Sequence, residues 1–231
     1  MSQLVLPLRL ADHAVFASFL AEGNETLVAT LERLAAGGEG GHGCWLWGAH
    51  ATGKTHLLQA VCERAGDRAA YLPLETVREA GPEILEGMDM RDLVCIDDID
   101  RVAGDAAWEL ALFSLCNRLA EAGAQLLVSA AAAPRETPVR LPDLASRLSR
   151  LAVFQVRELD DAQRASALKL RARHRGVELP DETASFMLRR SRRDMASLYQ
   201  LLDKLDLEAL RAQRRLTIPF VRDILASEPG P

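Results

Sequence analysis

Residues 48–55 read Gly-Ala-His-Ala-Thr-Gly-Lys-Thr, which fits G-x-x-x-x-G-K-[ST]. Each fixed position has a physical task. Gly48 and Gly53 let backbone N–H groups curl around an anionic phosphate chain. Lys54 supplies a compact positive charge for the β- and γ-phosphates, and Thr55 offers a hydroxyl to a magnesium ion. A helix starting just after the loop adds the positive end of its dipole.

A second chemical element lies at 93–100, Leu-Val-Cys-Ile-Asp-Asp-Ile-Asp. Four apolar residues make a buried strand whose C-terminal end carries two acids, where ligands bind in open parallel sheets. Asp97 is suited to hold Mg2+, usually through water. Asp98 is suited to orient or deprotonate an attacking water. Two arginines complete the set. Arg147 lies in Pro-Asp-Leu-Ala-Ser-Arg-Leu-Ser-Arg, and Arg193 in Ser-Arg-Arg-Asp-Met-Ala-Ser-Leu. An arginine presented to a neighbour's γ-phosphate stabilises transition-state charge, and one on a separate helical unit can contact the phosphates of its own nucleotide. On composition alone both also read as ordinary surface arginines.

These residues need a scaffold, and the flanking pattern predicts one. Apolar runs at 44–48, 69–74, 93–98, 125–130 and 152–156 read as strands. Helical patterns lie between them at 54–65, 75–86, 105–123 and 142–150, with two earlier ones near 13–20 and 25–36. Alternating strands and helices predict an α/β domain, a parallel five-stranded sheet flanked by helices. The Gly-rich stretch 37–43 reads as a flexible loop. Beyond 157 the strands stop. Helices are expected over 160–174, from Asp181, along the stripe Met195, Leu198, Leu201, Leu202, Leu205 and Leu210, and after an N-cap at Thr217. The expected organisation is an extended peptide at 1–10, an α/β nucleotide-binding domain at 11–157 and a small all-helical domain at 158–231.

Composition removes several classes of function. No apolar run reaches transmembrane length. The opening strip lacks a basic leader and is broken by Pro7 and Arg9, so it is a poor signal peptide. The four cysteines, Cys44, Cys62, Cys95 and Cys116, form no C-x-x-C pair and read as buried free thiols in a reducing, cytoplasmic setting. The five histidines are scattered and mark no metal site. Residues 1–146 carry 11 basic and 21 acidic side chains, a balance of −10, and residues 147–231 carry 17 and 12, a balance of +5. An acidic chain lacks the footprint of a strong DNA binder. The split reads either as two ordinary solvated surfaces or as an aid to head-to-tail stacking of modules in a homo-oligomer.

Taken together, the phosphate loop, the Ile-Asp-Asp strand, the Ala-Ser-Arg-Leu segment and the helical region with Arg-Arg-Asp-Met resemble the AAA+ ATPases, and within them the DnaA/Hda group. The resemblance covers essentially the whole chain. It is closest in Gln3–Leu8, Leu141–Leu148, residues 168–182 and residues 212–225. It implies a P-loop domain with a C-terminal helical lid. It also implies that Gly48, Gly53, Lys54 and Thr55 bind the phosphates of ATP or ADP, with Thr55 and Asp97 at a magnesium ion. Arg147 would be an arginine finger acting in trans on ATP bound to DnaA, and Arg193 a sensor arginine contacting the chain's own nucleotide. DnaA would continue into a DNA-binding domain, and this chain ends at Ala-Ser-Glu-Pro-Gly-Pro.

The strip from Gln3 to Leu8 is similar to the peptides that dock on the bacterial sliding clamp. Gln3 would take a polar contact, Leu4 lies in the same extended strip, Leu6 and Leu8 would fill an apolar pocket, and Pro7 would pre-set the backbone. The alternative is that the strip packs on its own domain. Two departures from the wider AAA+ pattern bear on activity. The acidic strand ends Asp97-Asp98 rather than Asp-Glu, and Ser129 is the one hydroxyl near the end of the fourth strand. Both suit a chain that holds nucleotide as a structural ligand. The resemblance implies a regulator that reaches DNA only through the clamp and prevents re-initiation of replication. The rival expectation is a self-assembling ATPase or helicase loader that turns over its own ATP.

Overall fold

The computed structural model describes residues 14–38, 41–190 and 194–226. They form two compact units, one holding 14–16 and Gly23–Arg157, the other Ala17–Glu22 and 158–226. The first unit runs α1 (Glu25–Ala35), β1 (Gly43–Trp47), α2 (Lys54–Ala65), β2 (Ala69–Pro73), α3 (Leu74–Val77), β3 (Leu93–Asp97), α4 (Ala106–Ala122), β4 (Gln125–Ala130), α5 (Pro142–Leu148) and β5 (Ala152–Gln155). The five strands form one parallel sheet in the order β2-β3-β4-β1-β5. β1 and β3 are apolar along most of their length because both faces are covered.

The two faces can be told apart by alternation along each strand. Val94, Ile96, Leu126, Val128, Leu72 and Trp45 pack with Trp108, Leu112, Leu115 and Leu119 of α4 and Leu144 and Leu148 of α5. The alternate residues, including Leu46, Cys95 and Leu127, are buried on the opposite face, where α2 packs on β2, β3 and β4, and α1 packs on α2. Strand β3 therefore sends Cys95 and Asp97 toward the α2 side.

The strands and long helices match the sequence expectations to within a residue or two. The helix expected over 75–86 does not form as one piece. It breaks into the single turn α3 and two 3-10 turns, Arg78–Ala80 and Pro82–Leu85, because Gly81 adopts a φ of +87° and Pro82 follows it. The helix expected near 13–20 is reduced to a 3-10 turn at Phe16–Ser18. All four cysteines are free thiols. Cys44, Cys62 and Cys95 are buried as expected, but Cys116 is half-buried, on the wall of a small cavity. Burial pushes the Cys44 and Cys116 thiols up to about 11, which keeps them protonated and unreactive.

The second unit comprises α6 (Asp161–His174), α7 (Asp181–Arg190), α8 (Met195–Ala212) and α9 (Ile218–Ala226). Asp160 closes a capping box on α6: its carboxylate accepts from Gln163 N–H at 2.8 Å, and the Gln163 side chain accepts from Asp160 N–H at 3.0 Å. Leu168, Ala184, Met187, Leu198, Leu202, Leu205 and Val221 form its core, joined by Leu20 from the earlier stretch. Between α6 and α8, Asp203 accepts from Arg171 and Arg175, and Arg171 also lies 4.3 Å from the centroid of the Tyr199 ring. Among the described residues no helix is long and apolar enough to cross a membrane.

Candidate functional site

The loop 48–53 leaves the carboxyl end of β1 and enters α2, and its glycines are required by geometry. A Cβ on Gly48 would sit 2.6 Å from the Val156 carbonyl oxygen, closer than any side chain tolerates. Gly53 adopts a φ of +102° as the N-cap of α2 and offers no side-chain acceptor, so the first N–H groups of α2 keep their hydrogen-bonding capacity for an anion. Ala51 also has a positive φ, of 61°. Backbone held in such sparsely populated conformations clusters at ligand clamps.

Lys54 is the first residue of α2 and is 8 % exposed. Its ammonium donates to the carbonyls of Gly48 and Ala49, each at 2.8 Å, so the lysine stiffens its own loop. Burial lowers its proton affinity, opposed by the charges of Asp98, Asp97 and Asp100. Thr55 follows with an exposed side chain in the first turn.

Asp97 ends β3 and is 2 % exposed. One of its oxygens accepts from the Tyr71 hydroxyl at 2.8 Å, and the other accepts from the Ser129 hydroxyl. Ser129 in turn accepts from the Asp98 N–H at 2.9 Å. Gln59 of α2 donates to the Tyr71 oxygen at 3.3 Å. Burial, reinforced by the Asp97 charge, pushes the Tyr71 hydroxyl well above its ordinary range, so it stays protonated and acts as a donor. Asp98 adopts a left-handed φ of 57°. Burial and then the charges of Asp97 and Asp100, opposed by Lys54 and Arg101, push its carboxyl up to about 6. A carboxylate poised there, beside a lysine, has the properties of a general base or water-orienting group.

Gly48, Gly53, Lys54, Thr55, Asp97 and Asp98 are thus brought together at the carboxyl ends of β1 and β3. Among the described residues no three His, Cys, Asp or Glu side chains converge as a metal cage. One acid, one hydroxyl and an open loop fit a magnesium ion that takes most of its ligands from phosphates and water. When bound, such an ion would neutralise phosphate charge between Thr55 and Asp97.

Arg147 stands apart from this group. It lies near the end of α5 and lines the cavity with Cys116, Leu119, Ala124, Leu126, His42 and Leu151. His42, Ala124 and Leu151 immediately precede β1, β4 and β5, so this is the amino-end rim of the sheet, opposite the phosphate loop. The guanidinium is half-buried and makes no ion pair among the described residues. Arg193 and the strip Gln3, Leu4, Leu6, Pro7 and Leu8 lie outside the described residues.

Sequence reasoning overlooked Tyr71, Gln59 and Glu109. Glu109, in α4, is 2 % exposed, and its carboxylate accepts from Gly104 N–H at 2.7 Å, Arg140 N–H at 2.9 and 3.1 Å, and Leu141 N–H at 2.7 Å. It joins the loop that follows the acidic strand to the residues that introduce α5.

The profile of the bacterial DnaA ATPase domain matches residues 10–153, and that of the Hda lid domain matches residues 161–225. Among solved structures, domain III of the replication initiation protein DnaA from Thermotoga maritima superposes with a TM-score of 0.77 at 19% identity, covering 96% of this chain and 100% of that one. AMPPCP-bound DnaA from Aquifex aeolicus gives 0.68 at 20% identity over 87% of this chain and 68% of that one. The Thermotoga maritima RuvB Holliday junction branch migration motor gives 0.63 at 19% identity over 89% and 68%. These structural likenesses establish a shared fold, while the profile matches span both units. The parallel sheet, the phosphate loop at its carboxyl end and the two profiles agree: this chain belongs to the bacterial DnaA ATPase-domain family, within the AAA+ DnaA/Hda group, and carries an Hda-type lid.

Proposed function

We propose that this chain is a regulator of replication initiation that holds an adenine nucleotide, ADP or ATP with Mg2+, at its own phosphate loop and lends Arg147 to ATP bound by DnaA. The observation that carries this reading is the placement of Arg147. It sits at the amino-end rim of the sheet, remote from the chain's own phosphate loop, with a guanidinium free of ion pairs among the described residues. An arginine so placed suits the phosphates of another molecule, where transition-state charge needs an external cation. The Aquifex DnaA of the same fold holds AMPPCP, which supports an adenine nucleotide here. Docking on the sliding clamp through Gln3, Leu4, Leu6, Pro7 and Leu8 and contact of Arg193 with the bound nucleotide complete the proposal, with DNA reached through the clamp. The working organisation is a peptide at 1–10, the AAA+ domain at 11–157 and the lid at 158–231.

The test is the substitution Arg147→Ala. It should leave folding, nucleotide binding and clamp binding intact and remove stimulation of ATP hydrolysis by DnaA. A mutant that stimulates as well as the parent refutes the assignment. Removal of residues 1–8 should abolish clamp binding with nucleotide affinity unchanged.

One observation favours a second reading, an ATPase acting on its own nucleotide: Asp98 is raised to about 6 beside Lys54. That reading requires turnover by the purified protein that Asp98→Ala abolishes.

A further inference from the structure

The helical unit carries a cluster of cations that its own fold leaves unneutralised. Arg190, in the last turn of α7, and Arg222, in the middle of α9, lie over the same ring, Phe186, with their guanidinium carbons 5.8 and 5.9 Å from its centroid. The two charges are therefore no more than about 12 Å apart. Arg189 joins them on the same seam. It lines a groove between α7 and α9 with Ser185 and Ile218, and Ile218 stands one turn before Arg222. All three arginines are exposed and make no ion pair among the described residues. Asp181 and Glu182 line the far end of the groove, at the start of α7, and Asp181 is paired with Lys169 at 2.6 Å. Asp223, next to Arg222 in the chain, lies 3.8 Å from Arg214 instead. The dipole of α7 favours arginine in its last turn, which accounts for Arg189 and Arg190. It does not account for Arg222, set mid-helix where it brings a like charge to the ring that Arg190 already covers.

We propose that this seam is a direct contact for the phosphate backbone of duplex DNA, made by Arg189, Arg190 and Arg222 without regard to sequence. The contact does not depend on the roles read for Arg147 or for the strip 3–8. Duplex DNA carries one charge per about 1.7 Å of axis, so phosphates outnumber the arginines across a span of about 12 Å in any register. An acidic protein face would need carboxylates set to match three guanidiniums. The planar guanidinium fork suits phosphate oxygens, and a ring beneath two of the forks holds them before the ligand arrives, which lowers the ordering cost. The form of nucleic acid follows from the rings. Phe186 and Phe220 are both buried, so the seam offers no platform on which an unpaired base could stack, and a backbone contact remains. The balance of −10 over residues 1–146 repels DNA, which confines the contact to the helical unit and keeps it weak.

The experiment is fluorescence anisotropy of the whole protein with two labelled duplexes of unrelated sequence and a single strand of the same length, at about 50 and about 100 mM NaCl. The parent should bind both duplexes alike, with a Kd on the order of 10⁻⁵ M at the lower salt. Doubling the salt should weaken it about sixfold, the response for three neutralised phosphates. Arg190→Gln combined with Arg222→Gln should lower the affinity by about tenfold or more and cut the salt response to about twofold. Arg189→Gln alone should bring the response to about 3.5-fold, and it provides the test if the double variant fails to fold. Arg64→Gln makes the same change of charge in the α/β unit and should match the parent. Absence of duplex binding by the parent would overturn the proposal, as would a double variant with the parent's affinity and salt response. A single strand bound more tightly than the duplexes, or a tenfold preference between the two sequences, would overturn it too. Salt-sensitive self-association that the same variants abolish, without duplex binding, would overturn it in favour of a second copy of the chain.

Discussion

Replacement of Glu109 tests whether one buried carboxylate holds the approach to α5. It accepts four hydrogen bonds from three backbone donors, the N–H groups of Gly104, Arg140 and Leu141. Glu109→Ala deletes the acceptor and leaves all three donors unpaired. A buried unpaired donor costs about 1–3 kcal/mol. The low end applies because water can reach the half-exposed Gly104 and the exposed Arg140, giving about 3 kcal/mol in total. In a domain of this size that is a fall in Tm of about 6–12 °C. Tryptophan fluorescence is a clean probe, since Trp45, Trp47 and Trp108 all belong to the α/β unit. Glu109→Gln keeps the shape but points an amide N–H at a backbone donor, so it should lose about half as much. The pH dependence gives an independent check. Burial would raise this carboxyl, but the N–H bonds from Arg140, Gly104 and Leu141 outweigh it and hold the group below its ordinary value of 4.5. A depressed carboxyl stabilises the folded chain above its unfolded value and loses that contribution as pH falls through the folded value. The gap between parent and Glu109→Gln should therefore be full at pH 7 and shrink below about pH 4.5. A loss under about 1 kcal/mol for Glu109→Ala, or a gap that widens in acid, refutes the reasoning.

Asp98 has the opposite sign. Its carboxyl is raised to about 6, so the folded state takes up protons that the unfolded state releases, and ionisation at pH 7 works against folding. Asp98→Asn should raise the stability of the α/β unit at pH 7 by about 1 kcal/mol, a figure reduced for its partial exposure. The gain should disappear below about pH 4, and a loss of stability at pH 7 would contradict it. In the lid, Leu198 is fully buried at the centre of the helical core. Leu198→Ala should cost about 2–5 kcal/mol in the helical transition followed by circular dichroism, with a much smaller change in the tryptophan transition. Equal shifts in both would show that the units unfold as one.

The parts of the site that are contiguous in the chain were legible without a structure. Gly48 to Thr55 and Leu93 to Asp98 each announce themselves, because one strand end and its following turn carry all the residues involved. The row Gln59, Tyr71, Asp97 and Ser129 was not legible, since it depends on strand order. Ser129 follows Val128, the partner of Ile96, so the parallel register sets it beside Asp97, but only because β4 lies next to β3. Glu109 was hidden for another reason. Within Trp-Glu-Leu-Ala-Leu-Phe it reads as a solvated helix residue, and its partners Arg140 and Leu141 lie more than a whole strand and loop away. The expected helix over 75–86 failed where the signal was present in the sequence: Gly81-Pro82 is a breaker pair, outweighed there by the apolar spacing around it.

The division of the α/β unit into two ends limits what each arginine can do. The phosphate loop leaves the carboxyl end of β1, and the cavity wall bearing Arg147 includes His42, just before β1 begins. Five residues of strand separate those ends by about 16 Å. An arginine side chain does not span that distance through a packed sheet. In this conformation Arg147 does not reach the chain's own phosphate loop, so the role proposed for it requires a phosphate of another molecule. Glu109 lies in the first turn of α4, with one bond to the loop after Asp98 and three to the residues introducing α5. Its carboxylate ties the start of α5, the helix that carries Arg147 near its other end, to the loop that borders the acidic site. If Arg147 is the trans-acting cation proposed, it must be held in place before its target arrives to favour the transition state over the ground state, and the Glu109 carboxylate contributes to this by accepting backbone N–H bonds at the start of α5.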